Sequence, residues 1–201
     1  MPRKLPRQQR AEVTVQAILT AAAHILVKQG YAALNTNAVA QRAGVSVGSL
    51  YQYFPGKEAL IAELMRVHTL EINAIFEREF PLAMTEPLAV AVNRLVQANV
   101  QAHQRDPVLH KALFELEARL HPADLPQPEQ SVVPLIEALL ARHNKRLCVS
   151  DLKLAAFLVY ELVESAVHAA IVDRAYAVDP EQLAQEITVA VLRYLTARES
   201  A

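Results

Sequence analysis

An all-α chain is predicted, with an N-terminal three-helix head, a helical body behind it and about nine helices in total. Three observations carry that expectation. All four glycines, Gly30, Gly44, Gly48 and Gly56, fall within the first 56 residues. No stretch shows the alternating valine and isoleucine runs of strands. Apolar residues instead recur at helical spacing, between starts such as Ser46, Asp151 and Asp179-Pro180 and stops such as Gly30 and Pro55-Gly56.

Composition narrows the class further. The 201 residues are 53% hydrophobic, enough for a sizeable core, and one cysteine, Cys148, forms no internal disulfide. It reads as a helix-end packing residue in a reduced, cytoplasmic setting. No run approaches the roughly 18 apolar residues without charge that a membrane span requires, and the basic, polar start shows no secretory signal. Charge is unevenly spread. Up to Lys57 the chain carries Arg3, Lys4, Arg7, Arg10, Lys28, Arg42 and Lys57 against Glu12 alone, while the whole chain sums to −1. A basic head on an acidic body is the electrostatic footprint of a nucleic-acid reader joined to a different module.

Residues 1–9 read as a basic, proline-containing disordered arm. The first helix runs from about Arg10 to Gln29, with Val15, Ile18, Leu19, Ala22, Ile25 and Leu26 as its stripe and Gly30 as its stop. Tyr31 and Leu34 should pack beneath it. Thr36 or Asn35 caps the next helix, and Gly44 takes the sharp turn. Ser46 caps a short helix over Val47 to Tyr53, halted by Pro55-Gly56. Ala40, Val45 and Leu50 are spaced to meet between the two, while Gly48, Ser49, Tyr51 and Tyr53 face outward. That arrangement reads as a helix-turn-helix suited to a DNA groove.

A long helix follows from Lys57 to about Phe80, linking head to body, and Pro81 and Pro87 break it. Helices are then expected from Pro87 to Arg105, with Val90, Val92, Leu95, Val96, Asn99 and Val100 mostly buried, and from Pro107 to Leu120. Residues 121–130, holding Pro122, Pro126 and Pro128, read as a loop, and Ser131 to Leu147 as a helix. Ser150 and Asp151 cap a helix to Asp173 that is apolar around most of its circumference, so more than one side should be covered. The last helix, from Asp179-Pro180 to Arg198, carries Leu183, Ile187, Ala190, Val191, Tyr194 and Leu195 at near-heptad spacing. This pair is expected to build a symmetric homodimer through a four-helix packing. The domains are set at 1–56 for DNA binding and 57–201 for effector binding and dimerisation.

Residues 11–65 resemble the TetR (tetracycline-repressor) family of bacterial transcription regulators. The resemblance rests on Ala17-Ile18-Leu19-x-Ala21-Ala22, Gly30-Tyr31, Val39-Ala40-x-x-Ala43-Gly44-Val45-Ser46 and Leu50-Tyr51-x-Tyr53-Phe54-x-x-Lys57-x-x-Leu60. It implies a homodimer on palindromic, double-stranded operator DNA that usually represses, with an effector in the body altering the spacing of the heads. Carried over by position, Thr36 and Lys57 contact phosphates, with Asn37 and Ser46 beside them. Val47, Gly48, Ser49, Tyr51 and Tyr53 line the groove-facing helix, and Phe54 is core.

The body holds one polar line. Tyr160, Glu164 and His168 share a helix face, with Glu161 and Ser165 alongside. Asn99, His103, His110, Phe114 and Glu117 are placed opposite as the other wall of a largely apolar small-molecule pocket. The bland alternative is a set of structural hydrogen bonds. Glu164 and His168 also have a metal-compatible spacing, but no dense His/Cys set accompanies them, so no metal or cofactor is expected. There is no nucleophile elbow and no His-Glu-x-x-His, so no catalytic residue is assigned and the chain is not read as an enzyme. The expected function is a ligand-responsive repressor; the alternative is a helix-turn-helix regulator without a small-molecule effector, gated by a protein partner or constitutive.

Overall fold

A computed structural model describes residues 7–116, 128–174 and 177–197. Among these there are nine α-helices and no strand: α1 Arg7–Gln29, α2 Thr36–Ala43, α3 Val47–Tyr51, α4 Lys57–Ala83, α5 Leu88–Gln104, α6 Pro107–Phe114, α7 Pro128–Arg142, α8 Leu152–Val167 and α9 Pro180–Thr196. They form two compact units. Among described residues, the first holds 7–68 and 108–116, and the second holds 69–107, 128–174 and 177–197.

The first unit has its own core. Ile18, Ala22 and Ile25 of α1 meet Leu34, Val39 and Ala40, Leu50 of α3, Leu60, Ile61 and Leu64 of α4, and Leu113 of α6. The unit therefore reaches beyond residue 56, because the first three turns of α4 bury their apolar face here and α6 joins them. In the second unit, α5 packs on α9 and α7 on α8. Val92, Val96 and Val100 of α5, Leu140 of α7, Val159, Val163 and Val167 of α8, and Ile187, Val191 and Leu195 of α9 fill its main core. Arg94 of α5 donates to Glu86 at 2.6 and 2.8 Å and to Glu79 at 2.8 Å, tying the end of α4 to the start of α5.

Several expectations change. The helix begins at Arg7, so residues 7–9 are not part of an arm, and residues 1–6 lie outside the described residues. The short second helix of the motif ends at Tyr51 rather than Tyr53. Pro81 lies inside α4, which runs to Ala83; in the last turn its missing N–H removes only one bond. Val90 is exposed, since the buried face of α5 runs through Ala91, Val92, Leu95 and Val96. Pro128 starts α7 in its first turn, where proline is tolerated, so residues 128–130 are helical. That helix ends at Arg142 and a 3₁₀ turn over Asn144–Arg146 follows. Residues 117–127, with Glu117 and Leu120, lie outside the described residues, as does Arg198.

Beyond Val167 the chain continues as a π turn over His168–Val172, closed by a bond from the Asp173 N–H to the His168 carbonyl at 3.0 Å. Only one side of α8 is buried, through Ala155, Ala156, Val159, Val163 and Val167; Leu154, Phe157, Leu158 and Leu162 are exposed. Gln9–Gln29 and Leu152–Val172 are by length and composition apolar enough to cross a bilayer, but Arg10, Glu12 and Lys28 in the first and Lys153, Glu161 and Glu164 in the second mean that neither is an uncharged apolar run. Each also contributes a buried face to one of the two cores.

Candidate functional site

The α2–α3 corner is built by three local devices. The Asn35 carboxamide oxygen accepts from the Ala38 N–H at 2.9 Å, so Asn35 is the cap of α2 and Thr36 is freed for another partner. Gly44 sits at φ +69, and its N–H bonds the Gln41 carbonyl while the Val45 N–H bonds Ala40, at 3.3 and 3.0 Å. This paired closure ends α2 and requires a left-handed residue, which glycine adopts without steric cost. Ser46 then caps α3, its Oγ accepting from the Ser49 N–H at 3.0 Å.

These devices set the faces of α3. Leu50 is wholly buried and Phe54 nearly so, whereas Val47, Tyr51 and Tyr53 are 38%, 52% and 37% exposed. Asn37, Ser46 and Gly48 are exposed beside them; Thr36 and Ser49 are half-buried. The Thr36 and Tyr51 hydroxyls share a hydrogen bond at 3.2 Å, bracing the start of α2 against the end of α3. Gly48 has no internal reason to be glycine. A Cβ there would meet only Ser46 Oγ, at 3.9 Å. A helical glycine costs about 0.5–1 kcal/mol relative to alanine, so its use points to something that approaches from outside.

Lys57 opens α4. Its Nζ donates to the Tyr31 carbonyl at 2.8 Å and lies 3.4 Å from the centre of the Tyr31 ring. An ammonium has three donors, so this bond leaves capacity for a further acceptor such as a phosphate. α4 begins after Gly56, which has no side chain to cap the first N–H groups, and a helix start of that kind favours anions.

In the second unit, three of the residues proposed for an effector, Asn99, His103 and Glu164, meet. Glu164 Oε2 accepts from Asn99 Nδ2 at 3.0 Å, and Glu164 Oε1 lies 3.1 Å from His103 Nε2. His103 Nδ1 lies 2.9 Å from the Asn99 carbonyl oxygen. A carbonyl only accepts, so Nδ1 carries a proton; with an ionised Glu164, Nε2 carries one as well. Burial pushes the His103 imidazole down, but the Glu164 hydrogen bond and charge and the Asn99 carbonyl outweigh it, leaving His103 above its ordinary value. The carboxylate also fixes the Asn99 amide, whose Oδ1 is buried without a hydrogen-bond partner.

The remaining predicted residues lie elsewhere. Tyr160 packs against the second core, and His168 Nδ1 is 3.3 Å from an Asp173 oxygen. Glu161 and Ser165 are exposed. His110 and Phe114 belong to the first unit, where His110 Nδ1 is 2.9 Å from His68 Nε2 and Phe114 is half exposed. Sequence spacing did not reveal the His68–His110 or Tyr31–Lys57 contacts, which join residues on different elements. Among the described residues, no group of three or more His, Cys, Asp or Glu side chains is placed to hold a metal.

Comparison with known proteins gives a consistent set of relatives. The family model described as bacterial regulatory proteins, tetR family, matches residues 18–64, and a tetracyclin repressor-like C-terminal domain matches residues 87–195. The HTH-type transcriptional repressor KstR of Mycobacterium tuberculosis is 34% identical over 125 residues, covering 62% of this chain and 56% of the relative. The chain spans about half the length of the curated relatives it matches. Among solved structures, NalD of Pseudomonas aeruginosa, the secondary repressor of the MexAB-OprM multidrug efflux pump, superposes with a TM-score of 0.70 at 23% identity. That match covers 94% of this chain and 98% of NalD. The regulator PfmR of Thermus thermophilus gives 0.67 at 19% identity, covering 90% and 99%. At these identities the structural likeness speaks for the fold.

Proposed function

This chain belongs to the TetR family of bacterial regulatory proteins, and from that membership we propose that it is a cytoplasmic one-component repressor. It binds a palindromic operator as a homodimer through α2 and α3 and is released by a small, largely apolar effector held in the body. The observation that carries the DNA reading is the outward face of α3, where Val47, Tyr51 and Tyr53 stand exposed around a glycine that the fold does not require. Val47 offers an apolar contact for a thymine methyl, and the Thr36 and Tyr51 hydroxyls suit the phosphate backbone. Two heads of a dimer then read half-sites about one helical turn, roughly 34–36 Å, or a multiple apart.

The proposal is tested by retardation of the DNA fragment upstream of the chain's own gene at low salt; a protein that leaves this fragment unshifted argues against it. Gly48→Ala separates folding from binding. We expect it to stabilise the free chain by about 0.5–1 kcal/mol while weakening DNA binding at least tenfold. Equal DNA affinity in melting-matched samples would remove Gly48 from the interface.

The exposed Leu154, Phe157, Leu158 and Leu162 of α8 recur at helical spacing, which supports α8, together with α9, as the dimer seam. Phe157→Asp is therefore expected to shift the dimer to monomer at micromolar concentration in sedimentation velocity, with helicity unchanged. An unaltered dimer would move the seam elsewhere.

For the effector, the α8 line of Tyr160, Glu164 and His168, with Asn99 and His103 of α5, is the proposed anchor set. A second reading has its own support: Asn99, His103 and Glu164 bond to one another, as in a regulator that needs no small molecule and is gated by a protein partner or is constitutive. A thermal-shift screen of small molecules separates the two. A ligand at 100 times its Kd is expected to add about 2.7 kcal/mol of stability, and a screen without any shifting compound favours the second reading.

A further inference from the structure

We infer that Tyr31 is a positioning residue for DNA binding: its carbonyl and ring hold the Lys57 ammonium at the start of α4, where it is ready to take a phosphate. The inference rests on the reading of Lys57 as a phosphate contact and adds the residue that aims it.

Lysine is a long, flexible side chain, and a free ammonium on a surface samples many positions before it meets an anion. Lys57 does not have that freedom. Its Nζ donates to the Tyr31 carbonyl at 2.8 Å, and the same nitrogen stands 3.4 Å from the ring centre, well inside the range at which an aromatic face attracts a cation. Two attachments of different direction, a carbonyl lone pair and a ring face, restrict the side chain far more than one would.

The holder is itself fixed. Gly30 takes φ +78, and the turn after it is closed by a bond from the Leu34 N–H to the same Tyr31 carbonyl at 3.2 Å. Leu34 is wholly buried, and the Tyr31 ring packs against the first core. The stop of α1 thus sets where the first side chain of α4 can stand. The ammonium keeps donor capacity beyond the Tyr31 bond at the first residue of α4, so a phosphate arriving there meets a donor already in place. Pre-placement matters because ordering a side chain during binding subtracts from affinity.

The test uses the full chain and two DNA probes, the fragment upstream of its own gene and a mixed-sequence duplex of equal length, titrated between 50 and 200 mM salt. Lys57→Gln is expected to reduce the slope of log affinity against log salt by about 0.9 per protomer, the loss of one phosphate contact. Tyr31→Leu should weaken binding three- to tenfold on both probes, since phosphate contacts carry no sequence information. Tyr31→Phe, which keeps the ring and the carbonyl, should bind within twofold of the parent. In the Lys57→Gln background, Tyr31→Leu should have no further effect.

A Tyr31→Leu loss that persists in the Lys57→Gln background would overturn the inference, because Tyr31 would then act through packing alone. The contact is also read without any substitution: the Lys57 ε-methylene protons of the free parent chain should resonate upfield through the Tyr31 ring current, and ordinary shifts would sink the inference even if Tyr31→Leu does not fold. If Lys57→Gln leaves the salt slope unchanged while the upfield shift is present, the phosphate reading fails and the inference with it, by a result distinct from loss of the contact.

Discussion

Leu50→Ala is expected to destabilise the first unit by about 2–5 kcal/mol, the range for emptying a packed leucine site, and to abolish DNA binding with it. α3 has five residues, and Leu50 is its one buried side chain. A helix that short does not persist in water by its own hydrogen bonds. The Ser46 cap and the two carbonyl bonds at its end shape it, but the anchor is Leu50, which meets α1, α2 and α4 in one core. Without that anchor, α3 loses the orientation that turns Tyr51 outward. Leu50→Met, which keeps most of the volume, should cost less than about 1.5 kcal/mol. Urea denaturation followed by circular dichroism checks both, and a Leu50→Ala protein as stable as its parent would show that the core is held elsewhere.

The second large effect is on the body, and it depends on pH. His103 is buried to 1% exposure, and its native proton affinity is raised by Glu164 and the Asn99 carbonyl against the opposing pull of burial. A histidine held above its unfolded value of about 6.5 stabilises the native state fully below that pH. The stabilisation is lost as pH rises through the raised native value. The native state should therefore weaken from about pH 6 toward pH 8, with a slope of at most about 1.4 kcal/mol per pH unit for one proton.

Glu164→Gln removes the charge while keeping an acceptor, and it should flatten this dependence. Glu164→Ala leaves the buried His103 N–H without an acceptor and should cost about 1–3 kcal/mol at pH 6. His143 works in the other direction. Burial and then Arg142 and Arg146 push it down, so its share of stability is present above its unfolded value and is lost as pH falls through the native one. His143→Gln should make the decline from pH 6 steeper. Urea midpoints measured across this range decide the matter. A pH dependence that Glu164→Gln leaves unchanged would contradict the pairing of His103 with Glu164.

Local features of the chain were legible in its sequence. Ser46, Asp151 and Asp179 cap α3, α8 and α9 as expected, each accepting from the N–H three residues on. Gly30 and Gly44 take the left-handed angles their positions call for. Such contacts reach three to five residues, and residue type and spacing specify them almost completely. The choice between Asn35 and Thr36 was not decidable that way, because both carry a suitable oxygen. It follows from Tyr51, which lies 15 residues away and bonds Thr36.

Sequence alone determined that this is an all-helical chain with its helix-turn-helix near the start, but not that the first unit takes in the start of α4 and α6, nor that Ser49 is half-buried while Val47, Gly48 and Tyr51 are exposed. It also placed Asn99, His103 and Glu164 among the few polar groups of apolar helices. Those conclusions follow from helical periodicity and from short-range caps and stops. Tertiary structure decided that these three residues bond across 61 and 65 positions of chain. It decided as well that His110 pairs with His68, and that Tyr31 holds Lys57. Spacing orders residues along one helix, but it does not say which face of another helix they meet. That is set when whole apolar faces are buried together, and side-chain partners follow from the packing.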